Sequence, residues 1–226
     1  SISAYNNATQ RTNLLSQTDL IYETRLGGVE HTLLAGFEFG HQDTENLRQT
    51  GYFGGVATQI TAPVTNPTIN LPITFTPSAT DASNDGQAQV MALYVQDQIE
   101  LTEQLQLLIG LRYDSFEVDF LNRRTGARLS TTDDLWSPRL GLVFKPQDNL
   151  AFYASYSRSF LPRSGEQLTS LTAANSAFEP EQFDNYEVGT KWDVSPILSL
   201  TAALFQLDRT NVVVPDPANP GQSILV

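Results

Sequence analysis

The chain contains no cysteine among its 226 residues. Disulfide bonds, thiolate metal sites and cysteine nucleophiles are therefore excluded together. Histidine is almost as scarce, because His31 and His41 are the only two. No Gly-x-Ser-x-Gly elbow accompanies them, so the sequence offers no hydrolytic constellation. We expect a protein that is not an enzyme and that holds no covalently bound cofactor.

Basic residues are also in short supply. The 13 lysines and arginines are outnumbered by 25 aspartates and glutamates, which gives a formal net charge of -12. Such a chain repels a phosphate backbone, which argues against nucleic acid as a partner.

Long hydrophobic runs are missing as well. No window approaches 18 consecutive apolar residues, which excludes a transmembrane helix. The mean hydropathy is only -0.22, but a transmembrane β-strand alternates apolar and polar side chains and leaves the average polar. The first residues, Ser1 to Tyr5, do not resemble a signal peptide. Loop residues near the end, Pro215, Pro217 and Pro220, predict no further strand, so we expect a truncated chain.

Alternation with a period of two residues predicts strands throughout the chain. Eight are expected, over residues 14–25, 30–43, 87–101, 105–120, 134–145, 150–160, 183–194 and 198–211. Their connections alternate between short turns and long loops. An outer-membrane barrel places short turns on the periplasmic side and long loops outside, whereas a soluble sandwich has no reason to do so. The sequence therefore predicts an all-β, antiparallel, up-and-down meander.

The two faces of these strands differ in character. In 105–113, Leu107, Ile109 and Leu111 share one side, while Gly110 and Arg112 share the other. The first set is expected to contact lipid and the second to face a lumen. Aromatic residues support an interfacial girdle, although aromatics also favour strands in general; they are Trp136, Phe144, Tyr153, Tyr156, Tyr186 and Trp192. For 87–101 and 198–211 the pattern does not decide which side faces in.

Several of these segments resemble successive barrel strands of TonB-dependent ferric-siderophore receptors. They are YVQDQI (94–99), GLRYD (110–114), WSPRLGL (136–142), YASYSRSF (153–160), EPE (179–181), NYEVGTKW (185–192) and the segment from Leu200 to Asn211. A single motif is weak, but their order is specific and covers most of the chain outside the loops.

The resemblance implies part of a 22-stranded barrel in the outer membrane of a Gram-negative bacterium. Such a receptor is a monomeric barrel that imports an Fe(III)-siderophore with energy supplied through TonB. It implies further that residues 1–226 form a partial barrel domain. The plug domain, the TonB-contacting N-terminal region and the C-terminal strands would then be absent from the chain.

Two long loops are candidates for ligand binding. The loop over 44–86 contains Arg48, Tyr52 and Phe53, and the loop over 161–182 contains Arg163, Gln167 and Phe178. Aromatic rings can stack on an iron chelate and guanidinium groups can bind its negative charge. The alternative is that both are ordinary surface loops.

Charged residues on the strands suggest a structural role instead. Six are expected to face the lumen, with the arginines pairing with the acidic residues along the wall: Glu38, Arg112, Asp114, Arg139, Arg158 and Glu187. His41, Asp43 and Glu45 alternate on one strand face and could offer metal ligands, but a solvated strand end is favoured. Asp81 and Asp85 flank Asn84 without the spacing of an EF-hand, which favours a flexible acidic loop over a calcium site.

Two other functions remain open at this stage. One is a passive diffusion barrel without a plug, and the other is a soluble β-rich adhesin or accessory domain. A plug domain before Ser1 would exclude the first. Retention in buffer after expression would support the second.

Overall fold

The computed structural model describes residues 1–65, 67–163, 171, 176, 178–219 and 223–226. In that part of the chain, one sheet contains all the long strands. The long strands are β2 (Tyr5–Leu26), β3 (Val29–Phe53), β6 (Ser83–Thr102), β7 (Leu105–Asn122), β8 (Arg128–Gln147), β9 (Leu150–Leu161), β10 (Glu181–Ser195) and β11 (Leu198–Thr210). The short strands are β1 (Ile2–Ser3), β4 (Gln59–Ile60), β5 (Ile73–Thr76), β12 (Val213–Pro215) and β13 (Ser223–Leu225).

The long strands follow one another across the sheet in chain order. Each pairs antiparallel with its neighbours, in the order β2, β3, β6, β7, β8, β9, β10, β11, and β5 adds to the outer part of β3. The predicted up-and-down meander of about eight long strands is confirmed. β2 and β11 form the two edges of this sheet.

Connections at one end of the sheet are tight turns. They lie at residues 27–28, 103–104, 148–149 and 196–197. In the first turn Gly27 and Gly28 have φ angles of 59° and 91°, which glycine adopts without the steric cost of a Cβ atom. The connections at the other end are residues 54–82, 123–127 and 162–180. We call these the inner end and the outer end of the sheet.

At the outer end the strands run further than the sequence pattern predicts. β2 begins at Tyr5 instead of residue 14, and β3 ends at Phe53 instead of residue 43. The added residues pair in full register, for example Thr9 with Asn46. Side chains there are mostly polar on both sides of the sheet, so the backbone ladder continues where the hydrophobic period of two has ended. The expected long loop over 121–133 is likewise only a turn at 123–127.

One face of the sheet is apolar and uncovered, and we call it the apolar face. Its members keep much of their surface exposed, for example Leu93 at 59%, Val188 at 53% and Leu142 at 43%. The pairing register also settles the two undecided strands, because Leu93 lies opposite Phe37 and Leu204 lies opposite Val188. Directly opposed residues point to the same side. Met91, Leu93 and Val95 of β6 and Leu200 and Leu204 of β11 therefore belong to the apolar face.

No second sheet covers this face among the described residues. Ile109 and Phe37 keep 44% and 38% of their surface exposed, so they are not sealed in a sandwich core. A contiguous exposed apolar surface of this extent needs an apolar medium or a partner. Among the same residues, no helix is long and apolar enough to cross a membrane.

Aromatic pairs mark the outer edge of the apolar face. The ring centroids of Tyr113 and Trp136 are 4.8 Å apart, and those of Tyr156 and Tyr186 are 5.0 Å apart. The Tyr113 hydroxyl donates to Asp134 at 2.7 Å, and the Tyr156 hydroxyl donates to Asp184 at the same distance. Tyr113 and Tyr156 therefore each join apolar neighbours to a polar group, which is the arrangement of an interfacial aromatic belt.

Tyr153 does not belong to this belt. It pairs with Gly189 and lies on the opposite face, so its expected place in the girdle is wrong. The strand is aromatic on both sides there, which is why alternation alone misplaced the residue.

Candidate functional site on the polar face

The other face of the sheet, which we call the polar face, carries charged and hydrogen-bonding side chains. Register places Glu38 opposite Ala92, and Ala92 opposite Asp114. In the next row Gly36, Tyr94 and Arg112 lie opposite one another. These rows bring residues from distant parts of the sequence to one surface.

Arg112 is the centre of an ion-pair network on this face. Its Nη1 atom donates to Glu38 Oε2 at 2.8 Å, and its Nε atom donates to both oxygens of Asp114, at 2.9 and 3.0 Å. The guanidinium is also 5.4 Å from the centre of the Tyr94 ring. Because two carboxylates already hold it, the Arg112 side chain joins β3 to β7 instead of presenting a free positive charge to a ligand.

Tyr94 extends this network to the edge strand. Its hydroxyl donates to Asp19 of β2 and accepts a hydrogen bond from Gln17 Nε2 at 2.9 Å. The ring crosses β3 directly above Gly36, where an added Cβ would lie 2.2 Å from Tyr94 Cζ. Gly36 is therefore required by the path of the tyrosine ring. Gly189 and Tyr153 repeat this arrangement between β10 and β9, with a corresponding distance of 2.5 Å.

The other charged residues expected on this face divide into two groups. Arg139 and Glu187 do lie on the polar face, in register with Gly110 and Ser155. Glu187 accepts a hydrogen bond from the Tyr153 hydroxyl at 2.5 Å. Arg139 is exposed and forms no ion pair within the described part of the chain.

Arg158 does not share the polar face. It lies opposite Asp184 and two residues after Tyr156, so both side chains are on the same side of β9. Tyr156 pairs with Leu140 of the apolar face. Its Nε atom donates to Asp184 Oδ1 at 2.9 Å. The expected lumenal position of Arg158 is corrected by this register: the ion pair lies at the outer edge of the apolar face, beside the Tyr156 ring.

Arg48, Tyr52 and Phe53 lie at the end of β3, not in a loop. The Arg48 guanidinium stacks over the Tyr5 ring at 4.4 Å and approaches Asp81 at 3.8 Å. Phe53 is only 4% exposed, so its ring supports the fold of the outer segment and presents little surface to a ligand. Arg48 and Tyr52 keep accessible surface at the outer end of the sheet.

Asp81 fixes the long outer connection to β3. Its carboxylate accepts hydrogen bonds from the Thr50 amide, the Thr50 hydroxyl and the Ser78 amide, each at 2.8 Å. Burial by itself raises the pKa of Asp81, but these donors and the nearby Arg48 charge outweigh it and leave the pKa below its ordinary value. Arg124 also donates to the carbonyl of Asp81. The region predicted as a flexible acidic loop is held by a buried carboxylate.

Described residues of the third outer connection, residues 162–180, contact the polar face. Arg163 Nε donates to the buried carboxylate of Asp133 at 2.9 Å, and its Nη1 donates to the Ser176 carbonyl at 2.8 Å. Leu171 is 1% exposed and packs with Phe116 and Val118. Phe178 is half-buried, and Gln167 lies outside the described residues.

No metal site is evident in the part of the chain that the structure describes. No group of three or more histidine, aspartate or glutamate side chains converges there. His41 is 3.1 Å from Asp43, whose carboxylate accepts from Gln87, and Glu45 is 3.4 Å from Arg123. Asp85 pairs with Arg123 as well. These residues are engaged with protein partners at the outer strand ends.

Sequence reasoning missed two contributors to the polar face. Tyr94 takes part in the Arg112 network, and Asp133 forms the contact with Arg163. In both cases the contacting residues are far apart in the sequence. A tyrosine expected opposite a glycine in a neighbouring strand is the one local signal that points to Tyr94.

The geometry agrees with a comparison against protein families. Residues 1–225 match the family model described as "TonB dependent receptor-like, beta-barrel". The chain belongs to this family. TonB-dependent receptors are transporters of the Gram-negative outer membrane and are not enzymes. In a barrel of this kind an apolar face contacts lipid and a polar face lines the lumen.

Individual relatives are consistent with this family. The metal-pseudopaline receptor of Pseudomonas aeruginosa is 32% identical over 216 residues, covering 92% of this chain and 29% of that protein. The ferrichrome outer membrane transporter/phage receptor of Escherichia coli is 29% identical over 217 residues, covering 91% and 27%. The crystal structure of the siderophore receptor PiuA from Acinetobacter baumannii matches with a TM-score of 0.76 at 25% identity, covering 93% of this chain and 33% of that one. The chain thus spans under a third of these relatives' length.

Proposed function

We propose that this chain supplies part of the barrel wall and outer connections of a receptor that imports a metal–chelate complex, with an Fe(III)-siderophore as the expected ligand. Residues 1–226 would be a partial barrel domain of that receptor, with TonB as the energy-coupling partner and outer-membrane lipid around a monomeric barrel. The proposal rests on one observation: a chain that belongs to the TonB-dependent receptors carries a charged polar face, which would line the lumen.

The contacts on the polar face support a wall that keeps its shape while a ligand passes. Glu38, Arg112 and Asp114 pair with one another, and Tyr94 links them to β2. Of the lumenal arginines, Arg139 is exposed and is available to an anionic chelate. Arg48, Tyr52, Arg163 and Phe178 are proposed to serve ligand capture at the outer end, and Phe53 to support their position.

A metallophore is a second candidate ligand. One of the relatives is named as a receptor for metal-pseudopaline, so the metal carried by the chelate need not be iron. The polar face would accept a siderophore or a metallophore equally, because its residues would contact the chelate and not the metal.

Growth complementation tests the proposal. The full-length receptor would be expressed in a Gram-negative strain without its own chelate receptors and supplied with catecholate, hydroxamate and citrate complexes of iron, and with zinc and nickel metallophores. Growth restored by one complex, and lost when TonB is deleted, is the expected result. Growth that persists without TonB would indicate a passive channel, and no growth on any complex would overturn the assignment.

A further inference from the structure

A small cavity opens on the polar face at the outer edge of the lipid-facing band. It has a volume of about 220 Å³ and lies between β2, β3, β6 and β7. Apolar side chains form its walls: Leu15 from β2, Val90 from β6 and Phe116 from β7. Gly40, Asn13 and Gln42 also line it.

A buried wall on one side and a glycine on β3 fix the shape of this cavity. Phe116 and Ala88 are 8% and 4% exposed because they also pack in the cluster with Leu171, so that wall is rigid. Gly40 leaves space that a side chain would fill, since an added Cβ would lie 2.7 Å from Val90 Cγ1 and 3.2 Å from Leu15 Cδ2. Leu15 itself is 75% exposed and can be changed without opening a core.

The size and lining suit one planar ring. A cavity of about 150 Å³ lined by aliphatic and aromatic side chains is enough to bind benzene, and the cavity here has room for ring substituents as well. The small part of the Phe116 ring that lines the cavity can contact a second aromatic ring. The side-chain amide of Asn13, which also lines the cavity, can hydrogen-bond an oxygen substituent, a contact that an aliphatic chain cannot make.

We propose that this cavity is a subsite for an aromatic arm of the transported chelate, a ring bearing oxygen donors such as a catecholate. The proposal deepens the proposed function and rests on it for the identity of the whole ligand. The ring enters edge-first between Leu15 and Phe116, with its oxygens directed toward Asn13 and the open lumen. The metal stays outside the cavity, above the Arg112 network.

The test uses the full-length receptor and a cavity-filling variant, Leu15→Trp. Its control is Leu14→Trp, because Leu14 is the preceding residue, is 60% exposed and points to the lipid-facing side. Two probes are titrated by calorimetry: a ferric tris-catecholate complex and a ferric trihydroxamate complex without aromatic rings. We expect Leu15→Trp to weaken tris-catecholate binding at least about tenfold and to leave the trihydroxamate within about twofold. Leu14→Trp should change neither.

A metal-free probe separates this proposal from the proposed function. Saturation-transfer NMR with 2,3-dihydroxybenzoate should show contact with the unaltered receptor and with Leu14→Trp, and lose it with Leu15→Trp. If complementation fails on every chelate while this Leu15-dependent contact persists, the transport assignment falls and the subsite stands. If the ring probe or the tris-catecholate complex binds Leu15→Trp as well as the unaltered receptor, or binds neither, the subsite is overturned.

Discussion

At the residue scale, two glycines on the polar face are determined by tyrosines from neighbouring strands. Gly36 lies beneath the Tyr94 ring, and Gly189 lies beneath the Tyr153 ring. Tyr94 can reach Asp19 of β2 only because no side chain stands on the intervening strand. A residue with poor intrinsic strand preference is therefore required here, since the tyrosine fills the space that glycine leaves.

Replacing Gly36 by alanine should destabilise the barrel. The new Cβ would displace the Tyr94 ring and break its hydrogen bonds to Asp19 and Gln17, at a cost of about 1–3 kcal/mol. The measurement is the free energy of unfolding of the full-length receptor in guanidinium chloride. Gly110→Ala is the matched control on the same face, because its Cβ would meet nothing closer than 3.6 Å. Equal losses in the two variants would contradict the proposed role of Gly36.

Asp81 should make the outer connection sensitive to acid. Its pKa is lowered in the folded protein, so its stabilising contribution is present above the ordinary aspartate value of 3.8 and is lost as the pH falls through the lower folded value. We expect proteolytic protection of residues 54–82 to be constant from pH 7 to about pH 4 and to fall below that range. An acid-stable protease and mass spectrometry would measure it.

The variant Asp81→Asn separates this carboxylate from general acid effects. It should lower protection of the same segment already at pH 7, because the amide cannot replace three bonds to a charged oxygen pair. Below about pH 4 its protection should then fall less than that of the unaltered protein, because no carboxylate remains to be protonated at this position. Asp119→Asn, at an exposed position of β7, serves as the control and should behave like the unaltered protein.

At the scale of the strands, register decides which side chains share a surface. β6 places Ala92 and Tyr94 on the polar face, and Leu93 and Val95 on the apolar face. Asp97 shares the apolar side, where His31 Nδ1 lies 2.8 Å from its carboxylate. His31 therefore provides a polar partner for the Asp97 carboxylate, which lies beside Leu33 and Ile109.

Spin labels on β6 would test this register in the full-length receptor in a bilayer. Labels at Leu93 and Val95 should be accessible to oxygen, which partitions into lipid, and labels at Ala92 should be accessible only to a polar relaxation agent or buried. The labelled positions are close together on one strand, so the labelled receptors should be expressed and should fold to similar extents. A pattern without this alternation would show that the register of β6 is different.

The number and order of the strands could be predicted from the sequence. The face of the sheet on which each side chain lies, and the residue at which each strand ends, could not be predicted in every case. Alternation was clear in β7, where Leu107, Ile109 and Leu111 lie together. It was ambiguous in β9, because Arg158 and Ser157 are both polar and only pairing with β10 shows that Arg158 lies on the apolar side. Strand ends were missed where both faces are polar, as at Thr9 and Asn46.

The candidate site was predictable only in part for a related reason. Arg112, Glu38 and Asp114 were expected on one face and meet there. The contact of Arg163 with Asp133 was not expected, because thirty residues separate them and no periodicity relates them. The cavity beside Leu15 depends on four strands at once, which no local pattern contains.

At the scale of the molecule, the sheet described here has two unpaired edges. β2 and β11 each pair on one side only within the described residues, and their side chains are almost entirely exposed. Unpaired backbone groups are untenable in hydrocarbon and promote association in water. The wall therefore depends on further strands for a stable environment.

Expression of residues 1–226 by themselves should give associating material. We expect light scattering of the detergent-solubilised chain to show multimers, because the edges of β2 and β11 can pair with other copies. The full-length receptor should run as a monomer under the same conditions. A stable monomer of the isolated chain would mean that the edges close on each other.

The outer extension of the first hairpin has a consequence for the cell surface. β2 contains 22 residues and spans roughly 70 Å along its length, whereas a tilted strand needs about 11 residues to cross the hydrocarbon layer. Its remaining half, paired with the end of β3, would extend beyond the hydrocarbon layer on the outer side of the membrane. An antibody directed at the outer end of this strand pair, Tyr5 to Asn13 with Thr44 to Phe53, should therefore bind intact bacteria.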